Sequence, residues 1–210
     1  MSRVPLTRRD LLERCAVFGA LVAVPALDIP AISAFWEQAD ALKPTPPNAL
    51  GPFYKKRAPQ ARLLRMKTDA GMPLAVAGRI IDTRGGAVRD ATVEIWHADH
   101  GGHYDIAGYR FRAKLPLDAE ARYQFDTVMP GHYPDRVCQH VHYLVTAPGH
   151  KPLITQLYFA TDPVFAGDPQ RNFTKDPLVQ SVELVRPVTL SKTPAGTAAA
   201  VTFEIVLDRL

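Results

Sequence analysis

From residue 74 onward, apolar and polar positions alternate with a period of two over short runs, the pattern of half-buried strands. Residues 74–81 predict one strand, with a turn at Asp82-Thr-Arg-Gly-Gly86. Residues 91–96 predict a second, with Val93 and Ile95 on one face and Thr92, Glu94 and Trp96 on the other. Residues 123–127, 140–147 and 153–159 predict three more. Near the end, Val201, Phe203, Ile205 and Leu207 alternate with Thr202, Glu204 and Val206 in a last strand. Short strands at about 8–12-residue spacing predict an all-β fold, a β-sandwich core of mostly antiparallel strands with long irregular loops. Residues 160–180 and 187–198 predict surface loops, and 35–70 an irregular N-terminal arm containing Lys43-Pro-Thr-Pro-Pro47 and Gly51-Pro-Phe-Tyr54. The sequence shows no internal repeat, and no long amphipathic helix after residue 35.

The pattern ahead of the arm is different. Thr7-Arg8-Arg9-Asp10-Leu11-Leu12 leads into an apolar run of thirteen residues from Cys15 to Leu27. A membrane-crossing helix needs about 20 residues. A basic pair before a modest apolar run resembles a bacterial twin-arginine export signal, here residues 1–34 with a signal-type helix and a cut after Ala26 or Ala34. The expectation is an exported protein, periplasmic or extracellular, with no stable membrane span in the mature chain. The alternative is a retained N-terminal helix, packed on the domain or anchored in a membrane. The twin-arginine route carries folded cargo, which agrees with a metal loaded before export.

Composition narrows the classes. The 210 residues are 47% hydrophobic and 22% charged, enough apolar surface for a packed core and too much for a disordered chain. Nineteen prolines favour many turns over a helical bundle. The net charge is +4, with no block of Lys and Arg that would mark a nucleic-acid partner. The two cysteines, Cys15 and Cys138, rule out a disulfide scaffold and any Cys-rich zinc or iron–sulfur site. If Cys15 leaves with the signal, Cys138 is a lone thiol in an oxidising compartment and is expected to be buried.

The candidate chemistry begins at His140-Val-His142. Residues two apart on a strand project from the same face, so both imidazoles reach one ion; the plain alternative is a pair of histidines satisfied at a sheet surface. Tyr133, in Pro130-Gly-His-Tyr-Pro134, lies seven residues before His140, with Pro and Asp between them to turn the chain back. Tyr104, in Gly101-Gly-His-Tyr-Asp105, follows the second predicted strand through a glycine pair.

With these residues the sequence resembles the intradiol ring-cleavage dioxygenases, the catechol 1,2- and protocatechuate 3,4-dioxygenase family. The similar stretches are Gly51-Pro-Phe-Tyr54, Val93-Glu-Ile-Trp-His-Ala-Asp99 leading to Gly102-His-Tyr104, Phe111-Arg112 and Leu117-Asp-Ala-Glu-Ala-Arg-Tyr-Gln-Phe125. Met129-Pro-Gly-His-Tyr-Pro134, His140-Val-His142 and Thr155-Gln-Leu-Tyr-Phe159 follow in family order. The resemblance implies a catalytic β-sandwich domain over residues 71–210 holding non-haem Fe(III). Its metal ligands would be Tyr104, Tyr133, His140 and His142, with Tyr104 and His142 equatorial and Tyr133 and His140 axial. A phenol with a pKa of about 10 binds as the anion at neutral pH only to a strong Lewis acid, and hard oxygen donors in turn favour ferric iron. The implied partners are O2 and a small aromatic diol, which chelates the iron and displaces Tyr133. That tyrosine then accepts a substrate proton, and the ring opens to a cis,cis-muconate-type diacid.

Other positions carry both functional and plain readings. The family places an arginine three residues before the first histidine; here that position is Val137, and Arg136 stands one residue earlier. A one-residue slip on a strand reverses a side chain, whereas a loop between Tyr133 and His140 restores it. Arg112 is a second candidate, with a solvated charge on a turn as its alternative. Gln156 takes the place of a glutamine near substrate in the family, or is a plain strand amide. Tyr54 lines the pocket or packs the arm, and Trp96 is expected in the core. His97, His100 and His103 are expected to be loop histidines rather than a second metal cluster.

Rival readings are an exported non-catalytic β-sandwich binding module and a His-x-His copper/zinc protein. The copper/zinc reading fails for want of downstream ligands, because only His150 follows His142. Catechol, protocatechuate, hydroxyquinol and a larger lignin-derived diol are all substrates compatible with these motifs. Family members often associate, and no feature here specifies a homo-oligomer.

Overall fold

The computed structural model of the chain describes residues 41–133 and 136–210. The expected export signal and the first residues of the arm lie outside the described residues. Among the described residues the chain forms strands β1 (Pro73–Asp82), β2 (Thr92–Trp96), β3 (Arg112–Leu115), β4 (Arg122–Val128) and β5 (His140–Thr146). They are followed by β6 (Leu153–Phe159), β7 (Val185–Arg186), β8 (Val188–Thr193), β9 (Gly196–Thr202) and β10 (Ile205–Leu207). One five-stranded sheet has the order β3-β2-β5-β6-β7; the other joins β10, β1, β9 and β8, with β4 also paired to β1. Both sheets are mixed: β9 and β10 run parallel to successive stretches of β1, and β7 runs parallel to β6.

The inward phases of the strands make the core. Val93, Ile95, Val141, Tyr143, Val145 and Leu157 come from one sheet, and Leu74, Val76, Phe125 and Val201 from the other. Full burial of each large apolar side chain contributes about 1.5–3 kcal/mol, which fixes the register of β5. A one-residue slip would turn Val141, Tyr143 and Val145 out of the core. The opposite phase of β5 carries His140 and His142, outside the core cluster yet only 2% and 1% exposed. Something beyond the two sheets therefore covers them.

Part of that cover is the arm. Around residues 59–64 it bonds to both sheets: Lys114 N–H donates to Pro59 O at 3.0 Å and Asp126 N–H to Arg62 O at 2.7 Å. It thereby occupies backbone groups on the edges of β3 and β4 that would otherwise be open for pairing. No helix among the described residues is long and apolar enough to cross a membrane.

Three sequence expectations need correction. Residues 187–198 are not a surface loop but β8 and the start of β9, an antiparallel hairpin. Every residue of β8 after Val188 is exposed, so backbone pairing rather than burial holds it and no apolar alternation marks it. The last predicted strand divides into β9 and β10 at Phe203, whose N–H donates to Ala77 O at 2.8 Å. Residues 160–180 hold two 3-10 turns and the single-turn helix α1 (Pro169–Asn172), and they are not all surface. Asp162, Phe165, Asp176 and Val179 are buried there. Strand β3 was not anticipated at all, being four residues long with Lys114 exposed in its middle.

His97, just after β2, is buried with both ring nitrogens bonded. Nδ1 meets Ala98 O at 2.7 Å, so it carries the proton, and Nε2 accepts from Thr127 Oγ1 at 2.8 Å. Burial pulls its pKa from 6.5 down to about 4. The unfolded chain therefore takes up a proton that the folded chain refuses, and stability falls as pH drops from 6.5 toward about 4. We predict that His97→Gln flattens this acid-side slope by up to about 1.4 kcal/mol per pH unit, measured by urea unfolding. An unchanged slope would refute a neutral buried His97.

Candidate functional site

Strand register assembles the floor of the site. Trp96, His142 and Gln156 are cross-strand partners on β2, β5 and β6, and His140 pairs with Tyr158. Cross-strand partners present their side chains on the same face, so these five lie on the outer face of that sheet. The His142 ring stacks on Trp96 at 4.8 Å with 4° between planes. His140 Nδ1 meets Cys138 O at 2.8 Å; a carbonyl only accepts, so Nδ1 holds the proton and Nε2 is left as a lone pair.

That Nε2 lies 3.2 Å from His142 Nε2 and 3.3 Å from the Tyr104 hydroxyl. His142 Nδ1 faces the Ala49 backbone without a well-formed hydrogen bond. Burial pushes His140 down to about 3 and His142 well below the ordinary histidine value, so both rings are neutral at pH 7. Tyr133 closes the set: its ring lies 5.7 Å from that of Tyr104 and 5.8 Å from that of His140. Burial pushes both phenols up, and Arg136 pulls each of them back toward ionisation.

Two imidazole nitrogens this close share either a proton, one Nε2–H donating to the other, or a cation between them. Donors bonded to one ion at about 2.1 Å stand about 3.0–3.4 Å apart, the spacing seen here. Among the described residues no three His, Cys, Asp or Glu side chains gather to hold a metal, so an ion at this point draws on the phenols. The four residues singled out from the sequence thus come together, and their chemistry fits a hard, highly charged cation.

Two loops deliver the tyrosines by crossing at glycines. Gly131 N–H donates to Asp99 O at 2.8 Å. A Cβ on Gly102 would meet His132 O at 2.0 Å, and the φ of +84° at Gly102 also favours glycine. The arm covers the site from the other side. Gly51, at φ +73°, would bring a Cβ to 3.0 Å from the His142 ring. Phe53 stacks on Tyr104 at 4.2 Å and meets Tyr133 edge-on at 6.2 Å. Phe53 is the arm residue that meets Tyr104 and Tyr133, and Tyr54 packs on Trp96. The Tyr54 hydroxyl donates to Glu94 at 2.9 Å behind Trp96, and burial together with Glu94 pushes its pKa up to about 12.

Both candidate arginines are buried near the site. Arg136 is 6% exposed; its N–H donates to Tyr133 O at 2.9 Å. Its Nη2 donates to Gln156 Oε1 at 2.9 Å and to the Tyr158 hydroxyl at 3.0 Å. The residue lies before β5 begins, so strand alternation does not govern it. Arg112 is not a solvated turn charge: at 4% exposure it donates to the carbonyls of Phe53 and Asp105, clamping the arm to the Tyr104 loop. Gln156 is fully buried and also donates to Ala49 O at 2.6 Å. Trp96 is buried, as expected, and its ring also stacks on His142.

The three loop histidines share no site. His97 is structural, and His103 is exposed beside Asp99. Cys138 is a buried free thiol. Sequence reasoning missed Phe53, Tyr158 and Asp176. The first stood inside a quoted motif, and the second follows Gln156 by one strand period. The third carried no local signal.

Comparison with known proteins places this arrangement. Residues 49–209 match the family model Dioxygenase_C, described as dioxygenase. The chain is 30% identical to hydroxyquinol 1,2-dioxygenase of Nocardioides simplex, over 95% of this chain and 74% of that protein. It is 30% identical to catechol 1,2-dioxygenase of Acinetobacter baylyi, over 79% of this chain; the match spans 63% of that enzyme's length. Among solved structures, the dioxygenase domain of a dioxygenase carbohydrate-binding protein fusion from Streptomyces sp. SirexAA-E superimposes with a TM-score of 0.67 at 31% identity. That match covers 80% of this chain and 100% of that one. The chain belongs to the intradiol ring-cleavage dioxygenase family.

Proposed function

We propose that this protein is a non-haem Fe(III) intradiol dioxygenase that opens a catechol-type ring with O2 to a cis,cis-muconate-type diacid. The observation that carries the reading is that His142 Nε2 and the Tyr104 hydroxyl both lie within 3.3 Å of His140 Nε2, with Tyr133 beside them. Tyr104, Tyr133, His140 and His142 would hold the iron. Bound Fe(III) would supply the Lewis acidity that ionises phenols and draws charge from a chelated catecholate.

The chain's own residues do the rest. Tyr133 is half-buried beside Arg136, and its phenolate oxygen is the base that takes a proton from the second substrate hydroxyl. The Arg136 guanidinium, oriented by Gln156 and Tyr158, stabilises negative charge on a substrate oxygen next to Tyr133. Phe53, flat against Tyr104, shields that phenol from water. Neutral imidazoles keep the charge of the donor set low enough to accept a dianionic substrate.

The deciding experiment is oxygen uptake over a panel of catechol, protocatechuate, hydroxyquinol and larger diols, with mass analysis of the product. A ring-opened diacid carrying both oxygen atoms is expected from at least one of them. A colourless protein that consumes no oxygen with any diol would leave the binding-module reading instead.

Site variants test the donor set. His142→Ala is expected to lose iron by elemental analysis, and retained stoichiometric iron would contradict the assignment. Tyr133→Phe is expected to weaken the visible tyrosinate-to-iron band and slow turnover by about 10²-fold.

The reading includes export. The Arg8-Arg9 pair ahead of a thirteen-residue apolar run supports a twin-arginine signal. Replacing both arginines by lysine in a bacterial host with that pathway should retain the protein in the cytoplasm. Undiminished periplasmic protein would sink the assignment.

A further inference from the structure

Asp176 is a carboxylate sealed from water at 1% exposure, in a segment whose sequence reads as a surface loop. Backbone groups fix it at both ends: Oδ1 accepts Leu178 N–H at 2.9 Å and Oδ2 accepts Cys138 N–H at 3.2 Å. Oδ2 also lies 3.6 Å from Arg136 Nε. Among the described residues it is the one carboxylate within ion-pair distance of Arg136, and Nε has no hydrogen bond of its own.

The guanidinium is therefore held from two sides. Gln156 and Tyr158 give it direction through neutral oxygens, and Asp176 gives it a compensating charge. Without that charge a buried guanidinium is strongly disfavoured and moves toward water. The backbone bonds add a second effect. Arg136 is tied to Tyr133 O at 2.9 Å, and Asp176 pins Cys138 two residues further on. The spacer between arginine and histidine is one residue longer than the family's, and these two ties remove its slack.

We propose that Asp176 is a positioning residue that holds the Arg136 guanidinium beside Tyr133 and Gln156, where substrate charge is stabilised. The proposal rests on the dioxygenase reading. Asp176→Asn keeps an oxygen for a backbone N–H and removes the charge. With the best diol, its kcat is expected to fall about 10- to 100-fold. Iron content and the visible spectrum of the resting enzyme should stay unchanged, because none of the four donors is touched.

The pair is then tested as a cycle with Arg136→Gln. Once Arg136 is gone, adding Asp176→Asn is expected to cost no further turnover, whereas multiplicative losses would overturn the proposal. Should Asp176→Asn fail to fold, the double variant decides. Removing both charges is expected to restore folding, and continued failure would mean that Asp176 acts through the backbone alone, against the proposal. An unmutated protein that turns over no diol overturns the functional reading first, and this proposal with it.

Discussion

The structure is organised around two neutral imidazoles buried with their Nε2 atoms 3.2 Å apart. The two nitrogens share either a proton or a cation, and several parts of the fold act to hold them at this spacing. Cys138 O fixes the tautomer of His140, Trp96 fixes the ring plane of His142, and the core phase of β5 fixes which face both occupy. A fold that needed only two surface histidines would require none of these restraints. Together they hold both rings at one fixed spacing and orientation.

The cover over that site is made from loops and the arm rather than from a third sheet. Its precision comes from close approaches that leave no room for side chains, at Gly102 against His132 O and at Gly51 against the His142 ring. Aromatic stacking then carries position from one segment to the next, from Phe53 to Tyr104 and from Trp96 to His142. The result is two buried imidazoles flanked by two half-buried phenols, an enclosure in which charge interactions are stronger than at an open surface.

Charge around the donors is arranged in pairs of differing kinds. Arg112 satisfies its guanidinium on the carbonyls of Phe53 and Asp105 and so serves as a clamp. Arg136 has a carboxylate behind it and neutral oxygens in front. Both cations favour the ionised form of Tyr104 against its burial. The segment after β6 contributes through buried aspartates: Asp162 accepts Gln139 N–H at 2.7 Å, and Asp176 holds Cys138. The loop between Tyr133 and His140 is thus held from behind by residues far along the chain.

The sequence alone was enough for everything with a local period or a fixed motif. Strands β1, β2, β4, β5 and β6 follow from alternation, and Tyr104, Tyr133, His140 and His142, which the structure brings together, stand in the ordered motifs. The tertiary structure decided whatever depends on long-range pairing. Strand β3 is only four residues long with Lys114 exposed in its middle, and β8 is exposed beyond Val188, so no apolar alternation announces either. Of the adjacent aromatics Phe53 and Tyr54, the path of the arm brings Phe53 against Tyr104 and Tyr54 against Trp96. Arg136 reached the site despite its shifted position because it sits in a loop, where alternation does not bind a side chain to one face. Asp176 had no legible signal, since a buried carboxylate is stable only with partners that the fold brings from 38 residues away.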